Sequence, residues 1–247
     1  MNKYQNELDT YMYDIFNVSK KMNLKIWLEA GTLLGWKRNN DYIPWESDID
    51  LGIWESSFKS QKYQKFKKNM LKKKYIIRKS KNLVTIRKIG FHCHADIAIY
   101  KRINKVAFMP LNKIPISKFG KFLNRLISLV NSKNIFKTLQ FHKTSMIKFL
   151  YIIIFYMCKF LSFIRFKKIF IKFLKKYLKK NSKDVSWEIP LRYYDKFKKA
   201  KFRDFNVYIP LRNTSYLRWR YGNDWKTPRS NWSQHTEDPT LVFLQNK

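Results

Sequence analysis

Trp27-Leu28-Glu29-Ala30-Gly31-Thr32-Leu33-Leu34-Gly35 is followed, across an Asn39-Asn40-Asp41 turn, by Ile43-Pro44-Trp45-Glu46-Ser47-Asp48-Ile49-Asp50-Leu51-Gly52-Ile53. Asp48 and Asp50 stand two residues apart within the apolar run of Ile49, Leu51 and Ile53. On a strand, side chains two apart share a face, so both carboxylates project together. A half-buried strand is a costly place for two like charges. Mg²⁺ or Mn²⁺ removes that cost, because hard cations prefer carboxylate oxygen and keep positions open for phosphates. The upstream Gly31-Thr32 reads as a tight turn opening a short helix, whose free N–H groups suit a phosphate. The competing reading of such an acid pair is a solvated strand edge.

Outward from this stretch the periodicity predicts an amphipathic helix over residues 4–21, a strand over 24–29 and a helix over 32–38. The acid strand spans 48–53, and a basic helix follows over 58–73. Short strands are expected at 75–79 and 83–89, then an alternating strand over 94–100 that sets Asp96 among apolar neighbours. Mixed strands flanked by helices give an α+β core (a mixed α/β sheet).

The middle of the chain changes character. No acid occurs between Asp96 and Asp184. The apolar run 149–158 is too short to cross a bilayer, which takes roughly 20 residues. A basic helix over 165–180, with Ile169, Phe170, Phe173, Leu174 and Leu178 on one face, reads as a helix lying on an anionic membrane surface. A helical subdomain with a solvated basic face fits the same pattern. Domains are expected at 1–110 (catalytic core), 111–183 (basic helical insertion) and 184–247 (an aromatic block completing the core).

The chain has 247 residues, with 52 Lys and Arg against 17 Asp and Glu, for a net charge of +35. That excess implies an anionic partner without naming it. Cys93 and Cys158 are too few for a disulfide framework. The first ten residues lack the apolar core of a signal peptide, so the expected location is cytoplasmic, peripheral on the inner membrane face. Against nucleic acid as partner, the basic region carries no zinc-finger or RNA-binding signature, and its lysines alternate with large aliphatics.

Taken in order, these residues resemble the LicD family, which includes the fukutin-type enzymes. The resemblance rests on Gly31-Thr32-Leu33-Leu34-Gly35, Arg38, Ile43-Pro44-Trp45, Asp48-Ile49-Asp50 and Asp96. It continues in Ile209-Pro210, Tyr216-Leu217 and Tyr221-Gly222-Asn223-Asp224-Trp225. Coverage is residues 24–100 and 187–238, and the basic middle is unmatched. Where the family often carries two acids before Asp-Ile-Asp, this chain has Glu46 and Ser47. The zinc-binding cysteine insert of some relatives has no counterpart here.

The resemblance implies a nucleotidyltransferase-like fold and metal-dependent transfer of a phosphorylated alcohol, such as phosphocholine or a polyol phosphate. The donor it implies is a CDP-activated alcohol. The acceptor is a hydroxyl of a cell-surface glycan or lipid-linked saccharide, as in lipopolysaccharide, teichoic acid or glycoprotein modification. On that reading Asp48, Asp50 and Asp96 are catalytic and hold Mg²⁺ or Mn²⁺, with Asp96 either a metal ligand or the base for the acceptor hydroxyl. Gly31, Thr32, Arg38 and Trp45 would bind the donor, Arg38 through its phosphate-matching fork and Trp45 by stacking. For Arg38 the alternative is charge complementing a helix C-terminus, and for Trp45 ordinary packing. Two other functions share the features: placement of NMP on a nucleic acid or protein, and a non-enzymatic basic nucleic-acid binder. His92, Cys93 and His94 lack a fourth ligand for zinc, and Asp224 and His235 are candidates for the acceptor cleft.

Overall fold

The computed structural model describes residues 4–111, 113–115, 117–131, 166–233 and 236–243. The protein is α+β, as its sequence leads one to expect, and its chain divides into two compact units. One comprises Met1–Leu111 and Ser186–Val242, the other Asn112–Val185 and Phe243–Lys247.

The first unit is built on a mixed sheet. Its spatial order is β10 (Phe197–Phe202), β11 (Phe205–Pro210), β1 (Trp27–Leu28), β2 (Asp48–Trp54), β5 (His94–Ile103), β6 (Val106–Pro110), β9 (Val185–Pro190) and β12 (Leu241–Phe243). The hairpin β3 (Tyr75–Ser80) and β4 (Leu83–Lys88) branches from the first half of β5. β1 runs antiparallel to β2 and parallel to β11, so the N-terminal and C-terminal segments build one sheet. β2 and β5 are parallel. Helices α1 (Gln5–Lys21), α2 (Ala30–Asn39), α3 (Glu55–Phe58) and α4 (Gln61–Lys72) precede the hairpin, and α7 (Asn213–Tyr221) follows β11.

Alternation along β2 does what the sequence suggests: Ile49, Leu51 and Ile53 are buried, while Asp48 and Asp50 point to the opposite face. Those aliphatics join Leu8, Tyr11, Met12 and Ile15 of α1 in the core. Burying each such side chain contributes about 1.5–3 kcal/mol, enough to hold β2 in one register. Gly52 is required there, because a Cβ would enter the indole of Trp27 on β1.

Two local expectations shift. The strand expected over 24–29 shrinks to Trp27–Leu28, because α2 begins at Ala30 and takes Gly31 and Thr32 into its first turn. The helix expected over 58–73 is α4, which starts later, at Gln61, because Ser60 is extended; the short α3 precedes it and ends at Phe58.

The second unit contains α5 (Lys118–Asn131), α6 (Phe166–Lys180) and the two-stranded β7 (Ile114–Pro115) and β8 (Ser182–Lys183). Leu123 and Ile127 of α5 pack on Leu174 and Leu178 of α6. Those two leucines, expected to share a lipid-facing side with Phe173, are thus occupied by α5, while Phe173 and Phe119 are exposed. No helix among the described residues is long and apolar enough to cross a membrane. The apolar stretch 149–164 lies outside the described residues.

Candidate active site

The site is assembled at the start of two neighbouring parallel strands. In the β2–β5 register Asp48 stands opposite His94, and Asp50 opposite Asp96. All four residues occupy the alternation phase that faces away from Ile49, Ala95 and Ile97. Asp48, Asp50 and Asp96 line a cleft of about 390 Å³, together with Glu29, Gly31, Glu46, Trp187, Arg220, Tyr221 and Trp232. That volume lies in the usual range for a small-molecule site.

The start of α2 is wrapped around Asp50. The Gly31 N–H donates to Asp50 Oδ2 at 3.0 Å, and the Asp50 N–H donates to Thr32 Oγ1 at 2.8 Å. The Glu29 N–H donates to the Asp50 carbonyl at 3.1 Å. Ala30 makes this possible by adopting a left-handed φ of 42°, a conformation that costs a non-glycine residue of order 1 kcal/mol. Of the groups expected to cradle a phosphate, the Gly31 N–H is therefore engaged with Asp50, while the Thr32 hydroxyl only accepts from the Asp50 N–H. Gly31 also needs its missing side chain, since a Cβ would land on the Glu46 carboxylate.

Crowded carboxylates hold their protons. Burial, then the Asp48 charge, pushes Asp50 up to about 7. Burial, then Asp50 and Asp48, pushes Glu46 up to about 8. Asp48 is also raised, chiefly by burial. Glu29 is carried to about 8 by burial; it accepts a hydrogen bond from the Tyr100 hydroxyl and lies 3.9 Å from Arg220 Nη1. Arg220 is itself buried, donating to Asp238 Oδ2 from Nη2 at 2.7 Å and to the Tyr216 hydroxyl at 2.7 Å. Among the described residues, Arg220 is the one cation lining the cleft with these acids, in a chain with a large basic excess.

The residues present fit a divalent ion. Asp48, His94 and Asp96 offer ligand atoms that all lie within 4.8 Å of one another. Asp96 Oδ1 is buried with no hydrogen-bond partner, and Asp96 Oδ2 is 3.6 Å from His94 Nε2. An orphaned carboxylate oxygen beside an imidazole is a site short of a cation. The grouping replaces Asp50 of the expected trio with His94. The other two members of the discarded zinc trio go elsewhere: the His92 and Cys93 N–H groups both donate to Glu7 Oε2.

Arg38 and Trp45 stand at a second, smaller cavity that shares Glu46, Tyr221 and Trp232 with the acid cleft. Arg38 donates to the carbonyls of Trp225 and Thr227 at 2.7 and 2.9 Å, tying α2 to the loop after α7. Trp45 is 49% exposed and lines this cavity. Asp224 lines this cavity too, and His235 lies outside the described residues.

Sequence reasoning missed His94 beside Asp48 and Asp96, and also Glu29, Arg220, Trp187 and Trp232 in the cleft. His94 carried a signal, because it precedes Asp96 by two and so shares its face. Arg220 and Trp187 arrive through long-range strand pairing that no local pattern announces.

Residues 23–93 match the LicD/FKTN/FKRP nucleotidyltransferase domain. A stretch of 40 residues is 45% identical to ribitol 5-phosphate transferase FKRP of Mus musculus, covering 16% of this chain and 8% of that protein. The same length is 45% identical to ribitol-5-phosphate transferase FKTN of Homo sapiens, covering 16% and 9%. Forty-two residues are 45% identical to the uncharacterized protein RP689 of Rickettsia prowazekii, 17% of this chain and 16% of that one. The matches thus span a small part of the relatives' length. Among solved structures, terminal uridylyl transferase 4 from Trypanosoma brucei with bound GTP aligns at a TM-score of 0.31 and 12% identity, over 41% of this chain and 32% of that one. The matched residues 23–93, which carry β1, the α2 cradle and the acid strand β2, are the part of this chain that is similar to the LicD/FKTN/FKRP nucleotidyltransferase domain.

Proposed function

We propose that the protein is a phosphotransferase that moves a phosphorylated alcohol from a CDP-activated donor to a hydroxyl of a glycan or lipid-linked saccharide. One observation carries the reading: Asp48, His94 and Asp96 offer ligand atoms within 4.8 Å of one another, and Asp48 and Asp96 line a cleft that Arg220 also lines. The ribitol-phosphate transferases among its relatives favour an alcohol phosphate as the transferred group.

Mg²⁺ or Mn²⁺ bound there supplies neutralisation of the donor diphosphate and of the leaving CMP. Asp48, His94 and Asp96 hold it, and Asp50 anchors the α2 start so that this wall keeps its shape. Arg220, which lines the same cleft, adds fixed positive charge. The acceptor oxygen bonds to the phosphorus of the alcohol phosphate, the bond to CMP breaks, and CMP leaves with the electron pair. The hydroxyl proton passes to a carboxylate of the cleft; Asp96 and Glu29 each keep a buried oxygen without a hydrogen-bond partner, and Asp96 is the one grouped with Asp48 and His94.

The test is CMP release from CDP-choline, CDP-ribitol and CDP-glycerol in the presence of Mg²⁺ or Mn²⁺ and a saccharide acceptor. Asp48→Asn keeps the shape and removes a charge; turnover is expected to fall about 10³-fold or more. Full turnover in that variant refutes the assignment. Nucleotide appearing on the acceptor instead of free CMP selects the nucleotidyltransferase alternative.

The basic unit is proposed to rest on an anionic lipid surface, where a lipid-linked acceptor is found. Exposed Phe119 and Phe173 beside exposed Lys121, Lys172, Lys175 and Lys176 support this reading. Flotation with phosphatidylglycerol vesicles, lost on Phe119→Ala with Phe173→Ala, is the measurement.

A further inference from the structure

The acid cleft has a neighbour that the reaction above leaves unused. The smaller cavity, about 100 Å³, is walled by Trp45, Tyr221, Trp225 and Trp232, with Arg38, Asp224, Thr227, Arg229 and Ser230 supplying polar groups. It shares Glu46, Tyr221 and Trp232 with the cleft, so an occupant touches the wall behind which the acids lie. Every lining residue belongs to the first unit.

Three kinds of ring-sized group suit aromatic walls. A cationic headgroup is disfavoured, because two guanidinium groups, Arg38 and Arg229, line the space. A nucleoside phosphate is too large for a cavity well below the roughly 300 Å³ at which ordinary ligand pockets begin, and the 390 Å³ cleft has its own aromatic residues for a base. A sugar ring is neutral, offers C–H faces to aromatic planes, and presents hydroxyls that both donate and accept. The mixed set of guanidinium, carboxylate and hydroxyl groups here meets those hydroxyls in either sense.

The geometry also fits a docking platform. Trp45 is 49% exposed at the rim, whereas Trp225 is buried at the base. Tyr221 and Trp232 stand with ring centroids 4.8 Å apart, forming one continuous aromatic edge between the two cavities. Arg38 holds the loop in place through the Trp225 and Thr227 carbonyls, so the platform exists before a ligand arrives.

We propose that this cavity is the acceptor subsite, seating one sugar ring of the saccharide against Trp45 and Trp232 so that a hydroxyl of that ring reaches the acid cleft past Glu46. The assignment rests on the transferase reading above and deepens it, moving Trp45 from the donor to the acceptor.

The experiment is saturation-transfer NMR of the full chain with a panel of methyl hexopyranosides, alongside calorimetric titration of CDP with Mn²⁺. At least one glycoside is expected to receive saturation at its ring C–H protons. Trp45→Ala should weaken its binding about tenfold or more, and Trp45→Phe should recover most of it. CDP affinity should move less than about twofold in both variants. Loss of CDP affinity with unchanged glycoside binding would hand the cavity to the nucleoside and overturn the proposal. So would a wild-type chain that binds CDP and no glycoside. Failure to bind CDP with Mn²⁺ in the wild-type protein marks instead the failure of the transferase reading itself.

Discussion

Asp50 of β2 and Asp96 of β5 are register partners on adjacent parallel strands, so two carboxylates face one another across one hydrogen-bonded ladder. Like charges directly opposite destabilise a sheet. The arrangement therefore spends stability on a site, and the consequences are measurable.

The first is a pH dependence. Asp50 titrates near 7 and Glu46 near 8 when folded, against 3.8 and 4.5 for the free groups. The folded chain holds more protons than the unfolded one in that window, so stability of the metal-free protein falls as pH rises from about 4 to about 8. Thermal melts should show this decline, and saturating Mn²⁺ should reverse it most at pH 8. Asp50→Asn should melt a few degrees higher than wild type at pH 8 without metal. A flat profile between pH 5 and 8 contradicts the proton inventory.

The second concerns which ion is held. An imidazole nitrogen in the proposed ligand set favours a first-row transition ion such as Mn²⁺ over Mg²⁺, which keeps to oxygen ligands. Calorimetry should give Mn²⁺ at least about tenfold tighter than Mg²⁺ in the wild-type chain, and His94→Asp should narrow the gap. Equal affinities in wild type would remove His94 from the set.

The third separates fold from site at one glycine. Gly31→Ala gains helix propensity worth up to about 1 kcal/mol, yet its Cβ displaces the Glu46 carboxylate. That carboxylate ends a flexible side chain, so global stability should change by less than about 1.5 kcal/mol. Turnover should drop about 100-fold. Wild-type turnover in this variant would show that Glu46 can move without consequence.

The fourth tests the buried cation. Arg220 and Asp238 are almost wholly buried and 2.7 Å apart. Arg220→Met leaves Asp238 buried and unpaired, which should cost roughly 3–5 kcal/mol in urea denaturation. Adding Asp238→Leu should restore most of that loss without restoring turnover. A single variant within about 1 kcal/mol of wild type would mean that Asp238 is rescued by water.

Much of this site was legible because it is local. Asp48 and Asp50 alternate with aliphatics, and Asp96 repeats the pattern one strand later, so period-two reasoning found all three. The extent of α2 was not legible. Gly31-Thr32 looks like a turn, and only the hydrogen bonds to Asp50 show why the helix starts earlier, at a strained Ala30. Arg220, Trp187 and Trp232 were beyond local reading, because each reaches the cleft through the joining of the two ends of the chain in one sheet. His94 was visible but misfiled, since proximity to Cys93 suggested zinc and hid its strand phase with Asp96.

The β6–β9 ladder closes on Pro110 opposite Ser186, one rung from where the chain departs at residue 112 and comes back at residue 185. Entry and exit of the whole excursion are thereby stapled side by side. Lengthening, trimming or exchanging what hangs from that rung adds little entropic penalty, since closure grows only slowly with the number of residues enclosed. A second unit of different length can therefore hang from the same two strands at little cost to the sheet that carries them.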